Sequence, residues 1–78
     1  MIRNIEIAII PYIEKNLKPL KPNISVWWEP THPILNIGIN VKGHKHLVTI
    51  TQEALVEDKQ HLVDHINLKI DQIKEELN

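Results

Sequence analysis

The chain has 78 residues and a formal net charge of −1, which predicts one small domain over residues 1–78 and argues against a generally basic nucleic-acid binder. It contains no cysteine, which excludes disulfides and thiolate zinc sites and fits a reducing, cytoplasmic compartment. The apolar start, broken by Arg3, Glu6 and Pro11, is too short to span a membrane. It also lacks the basic region and the cleavage site of a signal peptide.

Residues 2–18 are open to two interpretations. Aliphatic residues recur at spacings of three and four, which predicts a helix with one apolar stripe. The stripe consists of Ile2, Ile5, Ile9, Ile13 and Leu17. Pro11 interrupts it, and proline costs about 3 kcal/mol in a helix interior. The segment is therefore either a helix kinked at Pro11, or a strand over residues 3–9 followed by a short helix that Pro11 opens. We favour the helix, because its stripe continues across the proline.

Three strands are predicted over residues 24–29, 34–42 and 46–50, where apolar and polar residues alternate. Prolines at Pro30 and Pro33 mark a loop between the first two strands. The short segment 43–45 contains a glycine and predicts a hairpin between the second and third strands.

The last helix is predicted to begin after the N-cap Thr51 and to run without a break to about Leu77. Its buried face is formed by Leu55, Leu62, Ile66, Ile70, Ile73 and Leu77. These elements predict an α+β domain of order α-β-β-β-α, with a three-stranded antiparallel sheet and both helices packed on one of its faces. The other face would carry Trp27, Asn36, Gly38, Asn40, Leu47 and Thr49.

A line of carboxylates runs along the predicted last helix, opposite its buried face. At about 100° per residue, five acidic side chains fall within about 40° of this line. They are Glu53, Glu57, Asp64, Asp71 and Glu75. His61 and Leu68 border the line. It is either a solvated face that keeps the protein soluble, or a contact surface for a basic protein partner, including one that normally binds phosphates.

Two pairs of histidines have spacings typical of metal ligands. His61 and His65 are four residues apart on the predicted helix, with Asp64 between them, and His44 and His46 are two apart at the hairpin. Four imidazoles would bind Zn²⁺ if the hairpin met the flank of the helix. However, His61 would point away from the core and His44 would lie at the tip of the turn. We therefore expect surface histidines with no bound metal, and no cofactor.

Trp27 and Trp28 are neighbours on a predicted strand, so their side chains point to opposite faces. We expect Trp28 in the core and Trp27 on the outer face, where Gly38 of the next strand would let the indole lie flat on the backbone. Trp is enriched at the centres of protein interfaces. Trp27 beside Leu47 is therefore either a contact for a partner or a second copy, or a side chain that simply covers the sheet.

Catalysis has little support in the sequence. Ser25 is the only serine, cysteine is absent, and two glycines do not make a phosphate-binding loop. We therefore expect that the protein is not an enzyme.

The order of elements resembles that of the double-stranded-RNA-binding domain, which also runs helix, three strands, helix over a similar length. The resemblance covers the whole chain as topology. That family places a Lys-rich motif at the start of its last helix to bind phosphates, whereas residues 51–59 here are acidic and read TQEALVEDK. The resemblance therefore implies the fold and not the RNA-binding function. The opening of the chain, with a helix first and strands after it, also resembles small phage head–tail components.

Three functions are compatible with these features. The first is an interaction module from a phage or mobile element, which binds a protein through the acidic helix or Trp27 and, in a sharper form, inhibits a basic partner by imitating nucleic-acid charge. The second is an assembly protein that forms a homodimer through the outer sheet face. The third, which the charge favours least, is nucleic-acid binding through lysines in loops. These lysines are Lys18, Lys21, Lys42 and Lys45.

Overall fold

The computed structural model of the protein describes residues 2–29 and 31–77, and describes side chains from residue 7 onward. Its elements are α1 (Ile2–Asn16), β1 (Asn23–Trp28), β2 (Ile34–Val41), β3 (His44–Thr51), α2 (Gln52–Glu57) and α3 (Lys59–Leu77). The α+β class and the order of one helix, three strands and a helical end are thus confirmed. Pro30 of the predicted loop and the side chains of Ile2 and Ile5 lie outside the described part.

α1 is a helix with Pro11 in its interior, so the helical interpretation is confirmed and a strand over residues 3–9 is wrong. Ile9 and Ile13 are buried, as is Leu17 just beyond the helix, whereas Ile7 is 67% exposed. Pro11 itself is exposed. The apolar stripe is buried on both sides of the proline, so the helical pattern prevails over the local cost of Pro11.

The sheet is an antiparallel meander in the order β1-β2-β3. The register places Trp27 opposite Asn36 in the first ladder and Ile37 opposite Val48 in the second. Residues that lie opposite one another share a face of the sheet. The outer sheet face defined by this register consists of Asn23, Ser25, Trp27, Asn36, Gly38, Asn40, Lys45, Leu47 and Thr49.

The turn of the second hairpin is shorter than predicted. Only Lys42 and Gly43 form it, because β3 begins at His44, which pairs with Val41. Both turn residues have positive φ, 51° at Lys42 and 83° at Gly43. Two consecutive residues with positive φ are characteristic of a type I′ turn, whose twist matches that of the strands it joins. The expectation that His44 lies at the tip of the turn is therefore wrong.

The single helix predicted over residues 52–77 is also wrong, because Asp58 divides it. Thr51 caps α2 as predicted, accepting a hydrogen bond from the Ala54 amide at 3.2 Å. Asp58 then leaves the helical conformation, with φ −153° and ψ 104°, and its Oδ1 accepts from the Gln60 amide at 3.0 Å. A short polar side chain competes for backbone donors in this way, so Asp58 ends α2 and caps α3.

One buried cluster joins the helices to alternate residues of β2 and β3. The helical side contributes Ile9, Ile13, Leu17, Leu55, Leu62, Ile66, Ile70 and Ile73. The strands contribute Leu35, Ile37, Ile39, Val41, Val48 and Ile50. Tyr12 additionally donates a hydrogen bond to Oδ1 of Asn67, which connects α1 to α3.

Candidate functional site

The outer sheet face carries an exposed indole that lies on a glycine. Trp27 is 43% exposed, while Trp28 points the other way and packs against the core. A Cβ on Gly38 would lie only 3.2 Å from Cζ3 of Trp27. The absence of a side chain at Gly38 therefore lets the indole approach the backbone of β2, as the sequence predicted.

Beside this indole lies an open groove of about 380 Å³, whose lining is mostly apolar and uncharged. Trp27 and the half-exposed Leu47 supply its large apolar side chains. Lys45 is the only Lys, Arg, Asp or Glu among the described residues that line it. A surface of this kind fits an apolar side chain next to a negatively charged group.

Asn36 lies on the same face, as predicted, but its burial was not expected. The sequence places it on the outer side of the sheet, yet it is only 2% exposed. It lies on the central strand between Trp27 and Thr49, and its amide donates a hydrogen bond to the Ile34 carbonyl at 3.3 Å. Asn36 is therefore a buried polar side chain of the outer sheet face that has a hydrogen-bond partner within its own strand.

The five acidic residues of the predicted line are all exposed, but they belong to two helices. Glu53 and Glu57 lie on α2, and the break at Asp58 means that a helical projection from α3 does not apply to them. The other three are Asp64, Asp71 and Glu75 on α3. At spacings of seven and four residues these three share one side of that helix, so a rigid acidic row exists only there.

The border of that row faces a second groove. His61 and His65 are both exposed, and their ring centroids are 4.8 Å apart. His65 and Leu68 line an open space of about 290 Å³ between α3 and β3, in which Leu68 is 61% exposed. Leu47 lines this groove as well as the one beside Trp27.

The hairpin does meet the last helix, but at the end of α3 rather than at its histidines. Nδ1 of His44 lies 3.2 Å from Glu76, and Nε2 of His46 lies 3.5 Å from the other carboxylate oxygen of Glu76. No pattern in the sequence indicated Glu76. Within residues 2–29 and 31–77, no group of three or more His, Cys, Asp or Glu side chains has an arrangement suited to a metal ion.

The four lysines proposed for nucleic-acid contact lie at one end of the sheet. Lys42 is in the hairpin turn, and Lys45 is the second residue of β3, next to that turn. Lys18 and Lys21 lie on the connection that leads into β1, whose first residue pairs with Asn40 next to that hairpin. All four side chains are exposed.

In the described ranges, none of the helices has the combination of length and apolar character that crossing a membrane requires.

Comparisons with known proteins identify no relative of this chain. A scan of protein-family models finds no match to the chain, and no match is found among curated proteins or solved structures.

Proposed function

We propose that the protein is a small interaction module that binds a protein partner through its outer sheet face. The observation that carries the proposal is the indole of Trp27, which lies on Gly38 and remains 43% exposed next to an open groove. A Trp held against a backbone loses little conformational freedom when a partner covers it. Such aromatic anchors commonly supply much of the binding energy of an interface.

The chemistry of the groove favours one kind of partner segment. Trp27 and Leu47 offer apolar surface, and Lys45 offers the one full charge among the described residues of the lining. The partner would therefore present an apolar side chain next to an Asp or Glu that reaches Lys45. The apolar contact supplies affinity, and the charge pair contributes orientation and a faster encounter.

The test is affinity capture from an extract of the cells that encode the protein, followed by binding measurements with the captured protein in purified form. Trp27→Ala should weaken binding at least about 30-fold, as expected for a central aromatic contact. Lys45→Glu should weaken it by a smaller factor that shrinks as salt is added. The control is Val56→Ala, at an apolar residue of α2 that is more exposed than Trp27. A partner that binds wild type and Trp27→Ala equally well would refute the proposal.

A second candidate is the acidic row of α3 as the contact for a basic partner. Among the described residues, Asp64, Asp71 and Glu75 form no ion pair with a cation of the chain, so their charge is available to a partner. In the same capture experiment, lysine at all three positions should abolish binding and Trp27→Ala should leave it unchanged. Elution by moderate salt would accompany this outcome, since exposed charge pairs are strongly screened.

A further inference from the structure

The free edge of β3 presents unpaired backbone groups. Within the described part of the chain, β3 pairs only with β2. In a two-residue hairpin the residues that flank the turn, here Val41 and His44, form a hydrogen-bonded pair. Such pairs alternate with pairs whose N–H and C=O groups point away from the partner strand. Lys45, Leu47 and Thr49 therefore direct their backbone groups to the outer edge.

Two observations support this assignment. The Gln52 amide donates to the Pro33 carbonyl at 2.8 Å, which continues the same alternation one pair beyond Thr51 and Ile34. Among the described residues, no loop, turn or cap hydrogen bond uses the outward backbone groups of β3. Lys45, Leu47 and Thr49 are also exposed.

This edge lacks most devices that prevent strands from pairing between molecules. Natural edge strands are kept apart by prolines, bulges, short length or several charges. β3 spans eight residues, contains no proline and has a single Lys. Its ladder with β2 is unbroken from Thr51 to His44, so no bulge turns the edge away.

The groove along this edge is neutral to slightly basic and partly apolar. Among the described residues, none of those that line it carries a carboxylate, and Asp64, Asp71 and Glu75 lie about a quarter turn away around α3. The half-exposed Leu47 and the 61% exposed Leu68 both line it. With a net charge of −1 for the whole chain, approach of a second copy meets little repulsion.

We propose that β3 pairs antiparallel with β3 of a second copy about a twofold axis at Leu47, which joins two three-stranded sheets into one of six strands. This register pairs Leu47 with Leu47 of the second copy and Lys45 with its Thr49. It satisfies the outward backbone groups of all three residues and covers the exposed leucine without opposing like charges. The dimer does not depend on Trp27, and Trp27→Ala leaves it intact.

Cysteine cross-linking tests the register directly, because the natural chain has no cysteine. Opposed residues of a hydrogen-bonded antiparallel pair have Cα atoms about 5.5 Å apart, which a disulfide can bridge. Leu47→Cys should therefore become a disulfide-linked dimer under mild oxidation. Thr49→Cys, on the same face of the same strand, would lie about 14 Å from its symmetry mate and should stay monomeric. Equal cross-linking of both variants, or of neither, would overturn the proposed pairing.

Sedimentation equilibrium tests the dimer without any cross-link. Leu47→Glu places two carboxylates at the axis and removes the apolar contact, so the dimer dissociation constant should rise roughly 100-fold. Val56→Glu on α2 is the matched control and should not change it. Far-UV circular dichroism establishes that both variants are folded. A wild-type chain that stays monomeric at all concentrations would overturn the proposal. That result would also overturn it if the edge of β3 binds a strand of a different protein instead.

Discussion

The indole of Trp27 lies directly against Gly38 of the neighbouring strand. A Cβ at Gly38 would lie 3.2 Å from Cζ3 and 3.4 Å from Cη2 of that ring. The first distance is tighter than ordinary carbon contacts, so the glycine determines how closely the ring approaches the sheet.

Substitutions at Gly38 should therefore move Trp27 in proportion to their size. Gly38→Ala requires a shift of a few tenths of an ångström, and we expect stability within about 0.5 kcal/mol of wild type, because alanine also restricts the unfolded chain. Gly38→Val must displace the ring, which should shift the tryptophan emission to longer wavelength as Trp27 becomes more hydrated. Unchanged emission in the valine variant would show that the indole does not rest on Gly38.

The β2–β3 turn offers two substitutions with opposite effects. Gly43 has φ 83°, so Gly43→Ala should lower the free energy of unfolding by about 1 kcal/mol, since other residues pay a steric cost there. Lys42 also has positive φ, 51°, and Lys42→Asn should raise stability by a few tenths of a kcal/mol, because Asn-Gly is the preferred type I′ pair. Thermal unfolding of both variants measures these changes. Equal stability of Gly43→Ala and wild type would contradict the turn type.

Asp58 should contribute to stability as a helix cap. Asp58→Ala removes the oxygen that accepts from the Gln60 amide at 3.0 Å, and loss of such a cap costs about 1 kcal/mol. Asp64→Ala, an exposed acidic residue within α3, is the control and should change stability by less than about 0.5 kcal/mol. Urea denaturation compares the two. If α2 and α3 were one continuous helix, Asp58→Ala would be neutral or stabilising.

Much of the fold was predictable because its apolar patterns are strong. The alternation along β2 predicted that its aliphatic side chains are buried, although it did not predict the burial of Asn36. The spacing of Ile9, Ile13 and Leu17 predicted α1 despite Pro11. In both elements the burial of aliphatic side chains determines the structure, and in α1 it outweighs the local cost of Pro11. The position of Trp27 over Gly38 was also predictable, because neighbouring strands place side chains on a common face.

The break at Asp58 was not predictable from the same patterns. Leu55 and Leu62 fit one helical stripe whether or not the chain turns between them, so periodicity does not detect the interruption. The signal lies in the polar side chain of Asp58, which is equally compatible with an exposed helical position. The acidic line, which assumed one rigid helix, is consequently confined to α3 as a continuous row.

The contact of Glu76 with His44 and His46 had no sequence signal either. It joins residues more than 25 positions apart in the chain, and neither spacing nor composition relates them. Likewise, the free edge of β3 follows from the order of strands in the sheet, which only the structure supplies.

The meander topology has a consequence for how the protein folds. Both ladders join strands that follow one another in the chain, so the whole sheet assembles by closing two short loops. The contact between α1 and α3, which includes the hydrogen bond of Tyr12 to Asn67, instead joins elements that are far apart in the chain. Chains dominated by local contacts cross a low entropic barrier, so we expect the hairpins to form early and the two terminal helices to dock in the step that limits the rate.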